Sequence, residues 1–347
     1  MTAMPRGGVR EGARDMMERN GSATTPTSHP APGTSMRALV LEGPRRLSAR
    51  SVPMPRPAPG GVLVTVELAG LGGSECAGYA APGIRPVPSI MGHGIIGTVA
   101  DGRRVAVNPL RSCRQCRDCR SGQPQRCAAW SMIGVQTDGG CAQAVAVPED
   151  ALEELPGDLT WEQAAFAEPF ANAVHAWELA GNPRDRIAIL GAGGLGLGLV
   201  VCAAVTHSES ITIADLSANR LAAAVALGAT ETGTAIAGHY DFVFDTVGSA
   251  ETRRAALELT RPGGTCILLG FAAPLLEIEA GRFIRSERRL LGSFAYSDRE
   301  FRSGLELAAR CSPDWVESLA FDEVEPFLKR CLAGDFSIVK AVLRPNR

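Results

Sequence analysis

From residue 36 onward the chain alternates between apolar and polar positions. Arg37-Ala38-Leu39-Val40-Leu41 is a short apolar run, and Gly61-Val62-Leu63-Val64-Thr65-Val66-Glu67-Leu68-Ala69 alternates as a half-buried strand does. Prolines at 53, 55, 57 and 59 separate the two and forbid a helix there. Ile95-Ile96-Gly97-Thr98-Val99-Ala100 and Arg104-Val105-Ala106-Val107 flank a turn at Asp101-Gly102, and Cys141–Val147 adds another run. Short strands with Gly and Pro turns predict a compact β barrel in the first half.

The second half has a different period. Ile187-Ala188-Ile189-Leu190 is wholly apolar, as a buried strand is, and runs into Gly191-Ala192-Gly193-Gly194-Leu195-Gly196. A helical stretch follows to about Val205, then a strand, Ser210–Ala214, ends at Asp215. This is a G-x-G-x-x-G in its full βαβ context: one glycine for the tight turn, one for close approach to a pyrophosphate, one for helix–strand packing. The helix N-terminus offers N–H donors and partial positive charge to the phosphates. A carboxylate at Asp215 suits a ribose 2′-OH and repels a 2′-phosphate, so NAD(H) is expected over NADP(H), with Arg220 the one residue that could accept a phosphate. Further βα units run through Asp241–Asp245, Gly264–Gly270 and Arg289–Phe294. They predict a parallel doubly wound sheet, with Thr246-Val247, Gly270-Phe271 and Ser293-Phe294 at its carboxyl edge beside the nicotinamide.

Composition narrows the class. The 347 residues suffice for two domains, 45% are hydrophobic, and the net charge of −2 gives no electrostatic reason to expect nucleic acid or an anionic membrane. No segment is read as a membrane span, since the long uncharged stretch at 187–205 is the strand, glycine turn and helix just described. Residues 1–35, rich in Gly, Pro, Ser, Thr and Arg, cannot bury a core and lack the apolar segment of a signal peptide. They are read as a disordered tail, inert at His29, with Met36 as an alternative start. A cytoplasmic, reducing compartment is expected, in which Cys76, Cys141, Cys202, Cys266, Cys311 and Cys331 are single thiols.

The other four cysteines are the sharpest signal. Cys113, Cys116, Cys119 and Cys127 lie within fifteen residues as C-x2-C-x2-C-x7-C, which suits one tetrahedral Zn²⁺. Fe–S ferredoxin spacing differs in its last gap and in the proline that follows, and a disulfide cluster belongs to an oxidising compartment. A closed four-thiolate site has no open position, so it is a staple and not a catalyst. The interleaved arginines are expected to offset its negative charge.

With these motifs in order, the chain from residue 36 resembles a medium-chain dehydrogenase/reductase of the zinc alcohol dehydrogenase type. Ala164–Ala176, with Glu168-Pro169, resembles the sorbitol, threonine and aminocyclitol dehydrogenase branch. The resemblance implies an α/β protein with a GroES-like β-barrel catalytic domain (36–180, zinc lobe at about 111–128) and a Rossmann domain (181–298). A C-terminal return (299–347) completes the first domain. It further implies an enzyme oxidising secondary alcohols or reducing ketones with NAD(P), as a homodimer or homotetramer. The catalytic metal site departs from the family. The family's Cys-Gly-Ser/Thr-Asp reads Gly72-Gly73-Ser74-Glu75, so Gly72 stands in the cysteine's place, and Gly-His-Glu reads Gly92-His93-Gly94. His93 and Glu168 remain of three ligands, whereas catalytic zinc normally keeps three. Cys76 and Glu75 are poorly placed to substitute, and catalytic zinc is expected to be absent.

Ser74 matches the position whose hydroxyl contacts the substrate oxygen. Without metal, His93 is the candidate general acid, Glu168 its orienting partner, and Tyr79 and Tyr296 further donors. The main expectation is NAD(H)-dependent redox chemistry on a polyol- or cyclitol-like alcohol/ketone pair. The alternatives are a zinc-free reductase of an activated C=C or C=N bond, and a lyase or isomerase on the same fold. Trp130, Trp161 and Trp177 read as core or cleft walls and His175 as structural, while the substrate-facing loops fall near 76–90, 130–140 and 296–300.

Overall fold

The computed structural model describes residues 35–346. The tail reading, His29 included, falls outside these residues except at Ser35, which opens the first strand. That strand, Ser35–Gly43, pairs antiparallel with Arg46–Pro53. The second strand of this hairpin is one the hydrophobic pattern misses. Its residues, RLSARSVP, are half polar and largely exposed because it is a solvent-facing edge.

The long strand Gly61–Leu71 organises the first lobe. Antiparallel partners are Gly94–Thr98, Ala144–Pro148 and the C-terminal Lys340–Leu343. Val64, Val66 and Leu68 on it are fully buried. Because its last residues pair with both Gly94 and Val342, three sequence-distant segments meet at Gly70.

The second lobe is a six-stranded parallel sheet in the order Glu231–Gly233, Ser210–Ala214, Arg186–Leu190, Tyr240–Asp245, Thr260–Leu268, Arg289–Gly292. Its strands are continuous apolar runs because helices cover both faces; Ile187, Ala188 and Ile189 have no exposure. Strand order reverses beside Arg186–Leu190, which opens a crevice at the carboxyl ends.

The helix Ala167–Leu179 joins the lobes. It packs on Gly194–Val205, where a Cβ at Gly198 would stand 2.7 Å from Ala173 Cβ, and on Asp298–Ala308, where one at Gly304 would stand 2.4 Å from Ala171 N. Glycine at both contacts allows near-backbone packing, so the N-terminal turn carrying Glu168 is held from two sides. Among the described residues, no helix is long and apolar enough to cross a membrane.

Candidate active site and dinucleotide cleft

At the crevice, Gly191 takes a left-handed φ of 98°. A Cβ on Gly196 would lie 1.8 Å from the Gly191 carbonyl oxygen, whereas one on Gly193 would meet nothing within 4 Å. The loop is therefore closed on its helix side and open where a pyrophosphate would approach, at the start of Gly194–Val205. A Cβ on Gly194 would stand 3.0 Å from the Pro169 ring, so glycine lets this loop lie close to the Glu168 turn. Leu195 is half-buried against the sheet's core.

Asp215 sits at the loop. Its Oδ2 accepts the Ala192 N–H at 2.7 Å and its Oδ1 the Ser217 N–H at 2.8 Å, which leaves acceptor capacity for a ribose diol. Arg220 is turned to another segment: Nε donates to the Ile338 carbonyl at 2.9 Å and the guanidinium lies 5.4 Å from the Phe336 ring centre. A cavity of about 360 Å³ opens between Leu216–Asn219 and Gly334–Ser337. Of the other candidates, Gly270 is in backbone contact with Val247, where any Cβ would lie 2.0 Å from the Val247 carbonyl carbon. Val247 and Phe294 are partly exposed and Phe271 is 77% exposed. Phe294 stands 6.4 Å from Phe271 and 5.0 Å from Trp130, so an aromatic wall spans the two lobes at the sheet's carboxyl edge.

His93 is held by its backbone. Gly92 has φ of 98°, and a Cβ there would meet Cys141 Sγ at 2.7 Å. The imidazole, 8% exposed, lies between two carboxylates. Nδ1 is 2.5 Å from Glu75 Oε1, and Nε2 is 3.6 Å from Glu168 Oε2. The first is a short hydrogen bond; the second is beyond hydrogen-bonding distance, so this nitrogen lacks a full partner. Glu75 is placed by the helix Gly73–Ala80, whose start it caps: its Oε2 accepts the Gly72 N–H at 3.0 Å. Glu168 Oε1 accepts Asn172 Nδ2 at 2.8 Å and the Tyr296 hydroxyl at 3.4 Å, leaving Oε2 towards His93.

Burial opposes charge on all three groups, yet their mutual attraction outweighs it. Glu75 and Glu168 are held below the ordinary carboxylate range by His93. His93 is held up, at about 10, by the two carboxylates. Burial, reinforced by Glu168, pushes Tyr296 well above the usual phenol range.

The structure thus brings His93 and Glu168 together and adds Glu75, which sequence reasoning set aside. The signal was present, since Glu75 stands where the family's Ser/Thr-Asp stretch has its acid. Ser74 is exposed, and its hydroxyl accepts from Arg85 Nη2 at 3.3 Å; among the described residues it makes no bond to His93 or Glu168. Tyr79 is a correction. It is fully buried, and its hydroxyl donates to Glu325 at 2.8 Å, because the apolar face of its helix packs on Phe321–Leu332. Cys76 is likewise engaged with Cys331 on that helix. His175 binds Glu300 at 3.1 Å. Lys340, which sequence reasoning missed altogether, lies across Gly70, its Nζ 3.1 Å from where a Gly70 Cβ would stand; burial lowers its pKa against the pull of Glu75 and Glu168.

As a metal site the cluster has two protein donors, His93 Nε2 and Glu168; the Glu75 bond to Nδ1 is the kind that supports a ligating histidine, but no third ligand joins them, and among the described residues the grouped metal ligands are the four cysteines. That set does not fit a three-ligand catalytic zinc. The cysteine lobe does fit a metal. The sulfurs of Cys113, Cys116, Cys119 and Cys127 all lie within 4.8 Å of one another, close to the edge of about 3.8 Å that a ZnS4 tetrahedron requires. Backbone N–H groups point at sulfur, Cys116 N to Cys113 Sγ at 3.3 Å and Cys113 N to Cys127 Sγ at 3.4 Å. Such donors, from Gln115 and Cys116, bring Cys113 down to about 6, while at Cys116 a backbone donor is outweighed by the Cys119 and Cys113 thiols, which hold it up at about 11. Two of the interleaved arginines face away from the sulfurs to an acid. Arg111 and Arg114 pair with Asp150 at 2.6 and 3.3 Å and fasten the lobe to the body.

Two family models match: "Alcohol dehydrogenase GroES-like domain" over 58–157 and "Zinc-binding dehydrogenase" over 194–310. An uncharacterised zinc-type alcohol dehydrogenase-like protein of Haemophilus influenzae is 33% identical over 208 residues, 56% of this chain and 60% of that one. Galactitol 1-phosphate 5-dehydrogenase of Escherichia coli K12 is 30% identical over 67% of this chain and 75% of its own. Among solved structures, acetophenone reductase from Geotrichum candidum in complex with NAD superposes with a TM-score of 0.82 at 27% identity, over 91% of this chain and 98% of that one.

Proposed function

The chain belongs to the zinc-type alcohol dehydrogenases of the medium-chain dehydrogenase/reductase superfamily, NAD(P)-dependent oxidoreductases, and on that premise we propose that it is an NADH-dependent ketone reductase working without catalytic zinc. The substrate is a polyol- or cyclitol-like secondary alcohol/ketone pair. The observation that carries this is the geometry at His93: Nδ1 is bonded to Glu75 at 2.5 Å and Nε2 lies 3.6 Å from Glu168, without a full partner, while the two carboxylates raise its pKa.

Gly191, Gly193, Gly194, Leu195, Gly196 and Asp215 hold the dinucleotide, with Val247, Gly270, Phe271 and Phe294 at its nicotinamide end. Reduction adds a hydride, which the bound nicotinamide supplies, to the carbonyl carbon, and a proton to the oxygen. Glu75 fixes the ring so that Nε2–H faces the gap towards Glu168, and a carbonyl oxygen approaching Nε2 from the cleft accepts the proton. Glu168, oriented by Asn172 and Tyr296, stabilises the imidazolium until transfer. Ser74 hydrogen-bonds a neighbouring substrate hydroxyl. Since His93 titrates near 10, its acid form dominates at neutral pH and favours reduction over oxidation. Asp215 and the occupied Arg220 favour NAD(H) over NADP(H). The cysteine lobe holds one structural zinc per chain, and the subunits associate as dimers or tetramers.

Metal analysis of pure protein, paired with NADH consumption over a panel of ketones, tests this. One zinc per chain is expected, with turnover unchanged by weak chelators. His93→Gln abolishes turnover while NADH still binds. Two zincs per chain, or no NADH consumption with any ketone, sinks the reading. Gly72→Cys is sterically free, since its Cβ meets only Glu75 Oε2 at 3.8 Å, and gives the site a third donor.

A further inference from the structure

Beside Ser74 stands a guanidinium that the chemistry above does not use. Arg85 lies in Ala81-Pro82-Gly83-Ile84-Arg85-Pro86-Val87-Pro88, which connects the helix Gly73–Ala80 to the strand Ser89–Ile90. Proline at 82, 86 and 88 fixes φ at three of these positions. The Arg85 N–H closes a turn on the Pro82 carbonyl at 3.0 Å, with Gly83 at a left-handed φ of 62°. From this stiff loop the side chain folds back onto the helix. Its Nη2 donates to the Ser74 carbonyl and hydroxyl oxygens, both at 3.3 Å. Its Nη1 lies so close to Gly78 that a Cβ there would collide with it. Ser74 and Gly78 stand one helical turn apart on the same face, so the bare backbone at 78 is the seat on which the guanidinium rests.

Among the described residues nothing neutralises this cation. Arg85 is half-buried and forms no ion pair with them, and its Nε is buried without a hydrogen-bond partner. The carboxylate next to Ser74 in sequence is Glu75, but both of its oxygens are occupied, Oε2 by the Gly72 N–H and Oε1 by His93. A guanidinium carries five N–H donors, and the side chain spends them on two long bonds to Ser74. A pre-set fork with unspent donors suits an oxyanion, which it can bind through two parallel N–H···O bonds. The fork sits at the reacting end of the site: Ser74 is exposed, and one residue further along the helix Glu75 Oε1 meets His93 Nδ1 at 2.5 Å.

We propose that Arg85 binds an anionic substituent of the substrate, a carboxylate or a phosphate, so that the preferred substrate is an acidic polyol ketone and not a neutral one. Ser74 and Gly78 set the guanidinium before the substrate arrives, so little side-chain freedom is lost on binding. Arg85 is a specificity residue. The substituent keeps the same charge in the ketone and in the transition state, so the contact lowers KM more than it raises kcat. The inference rests on the ketone reduction proposed above for the reacting end of the substrate.

The test measures NADH-dependent turnover of three six-carbon ketones: fructose, its terminal phosphate monoester, and the keto-aldonate of the same length. Binding of each ketone is read separately by calorimetry, and NADH affinity by fluorescence. Wild type is expected to prefer at least one charged ketone to fructose in KM, and the two charged probes tell phosphate from carboxylate recognition. Arg85→Met is expected to raise KM for the preferred charged ketone by about 10- to 10²-fold, the scale of a charge-assisted hydrogen bond. The change in kcat is far smaller, the preference over fructose is lost, and Arg85→Lys recovers part of it. Gly78→Ala keeps the charge but pushes the guanidinium off its seat, and it is expected to weaken the same preference. If Arg85→Met lowers Tm, Arg85→Gln keeps a planar polar head for the same series. An equal change on all three ketones, or a wild type that favours neither charged ketone, overturns the proposal. So does an effect confined to NADH affinity, which would assign the arginine to the coenzyme. Calorimetric binding of a charged ketone that Arg85→Met abolishes, without turnover of any ketone, supports the anion site and overturns the ketone-reduction reading. Turnover of the charged ketones that Arg85→Met leaves unaffected overturns only the anion site.

Discussion

Glu75 decides the protonation of His93. Without that carboxylate only the pull of Glu168 would be left to oppose burial, and the imidazole would give up its proton at lower pH. Glu75→Gln keeps size and the Gly72 cap but removes the charge. The expected outcome is that the alkaline limb of kcat/KM for ketone reduction moves to lower pH than in the wild type, read from a pH–rate profile. The sign follows from the direction of the shift. His93 has a raised folded pKa, so its contribution to stability is complete below about 6.5 and is lost as pH rises through about 10. Denaturation of wild type across that window should show the loss, and Glu75→Gln should flatten it. Of these residues the sequence announced His93 and Glu168 through their motifs. Glu75 was visible but discounted, because its value lies in a contact with a residue eighteen positions on. Lys340 carries no local signal: an isolated lysine in a C-terminal strand has the same sequence neighbours whether it faces water or lies buried across a glycine.

At the level of elements, glycine placement does much of the positioning. Gly196→Ala would drive a methyl into the Gly191 carbonyl. NADH binding should be lost in fluorescence titration, together with stability, since overpacking costs about 1–3 kcal/mol. The helix Asp298–Ala308 starts with a reciprocal cap: Ser297 Oγ accepts the Glu300 N–H at 3.3 Å, and Glu300 Oε2 accepts the Ser297 N–H at 2.6 Å. Ser297→Ala should cost about 1 kcal/mol in urea denaturation and leave NADH binding intact, since the cap lies by His175 rather than at the dinucleotide loop. The buried strands of the parallel sheet were legible because their runs are apolar on both faces. Arg46–Pro53 was not, because an exposed edge strand needs no hydrophobic alternation and pairs only through backbone.

Across the whole molecule, the cysteine lobe and the cleft are separate metal questions. The lobe is fastened by Arg111 and Arg114 to Asp150, and Arg114 lies 3.7 Å from Asp298 at the start of the helix Asp298–Ala308. Loosening it should therefore reach the body. Cys116→Ser is expected to lose the lobe's zinc and lower Tm, by about 2–4 °C for each kcal/mol lost. Ketone reduction by the fraction still folded should continue, because no lobe cysteine belongs to the His93 cluster. Loss of turnover with Tm unchanged would contradict this separation.

Short-range pattern determined the two-part α/β plan, the four-thiolate lobe and the dinucleotide loop, since each depends on residues within one turn, one lobe or one βαβ unit. It also showed, at Gly72 and Gly94, that two family side chains are missing. What stands in their place was decided only by tertiary structure. Glu75, His93 and Glu168 lie on three separate segments of chain, and the first two meet because the strand Gly61–Leu71, which leads into the helix Gly73–Ala80, pairs with Gly94–Thr98. Charge in a buried site is set by distance through space, and sequence spacing does not encode that distance.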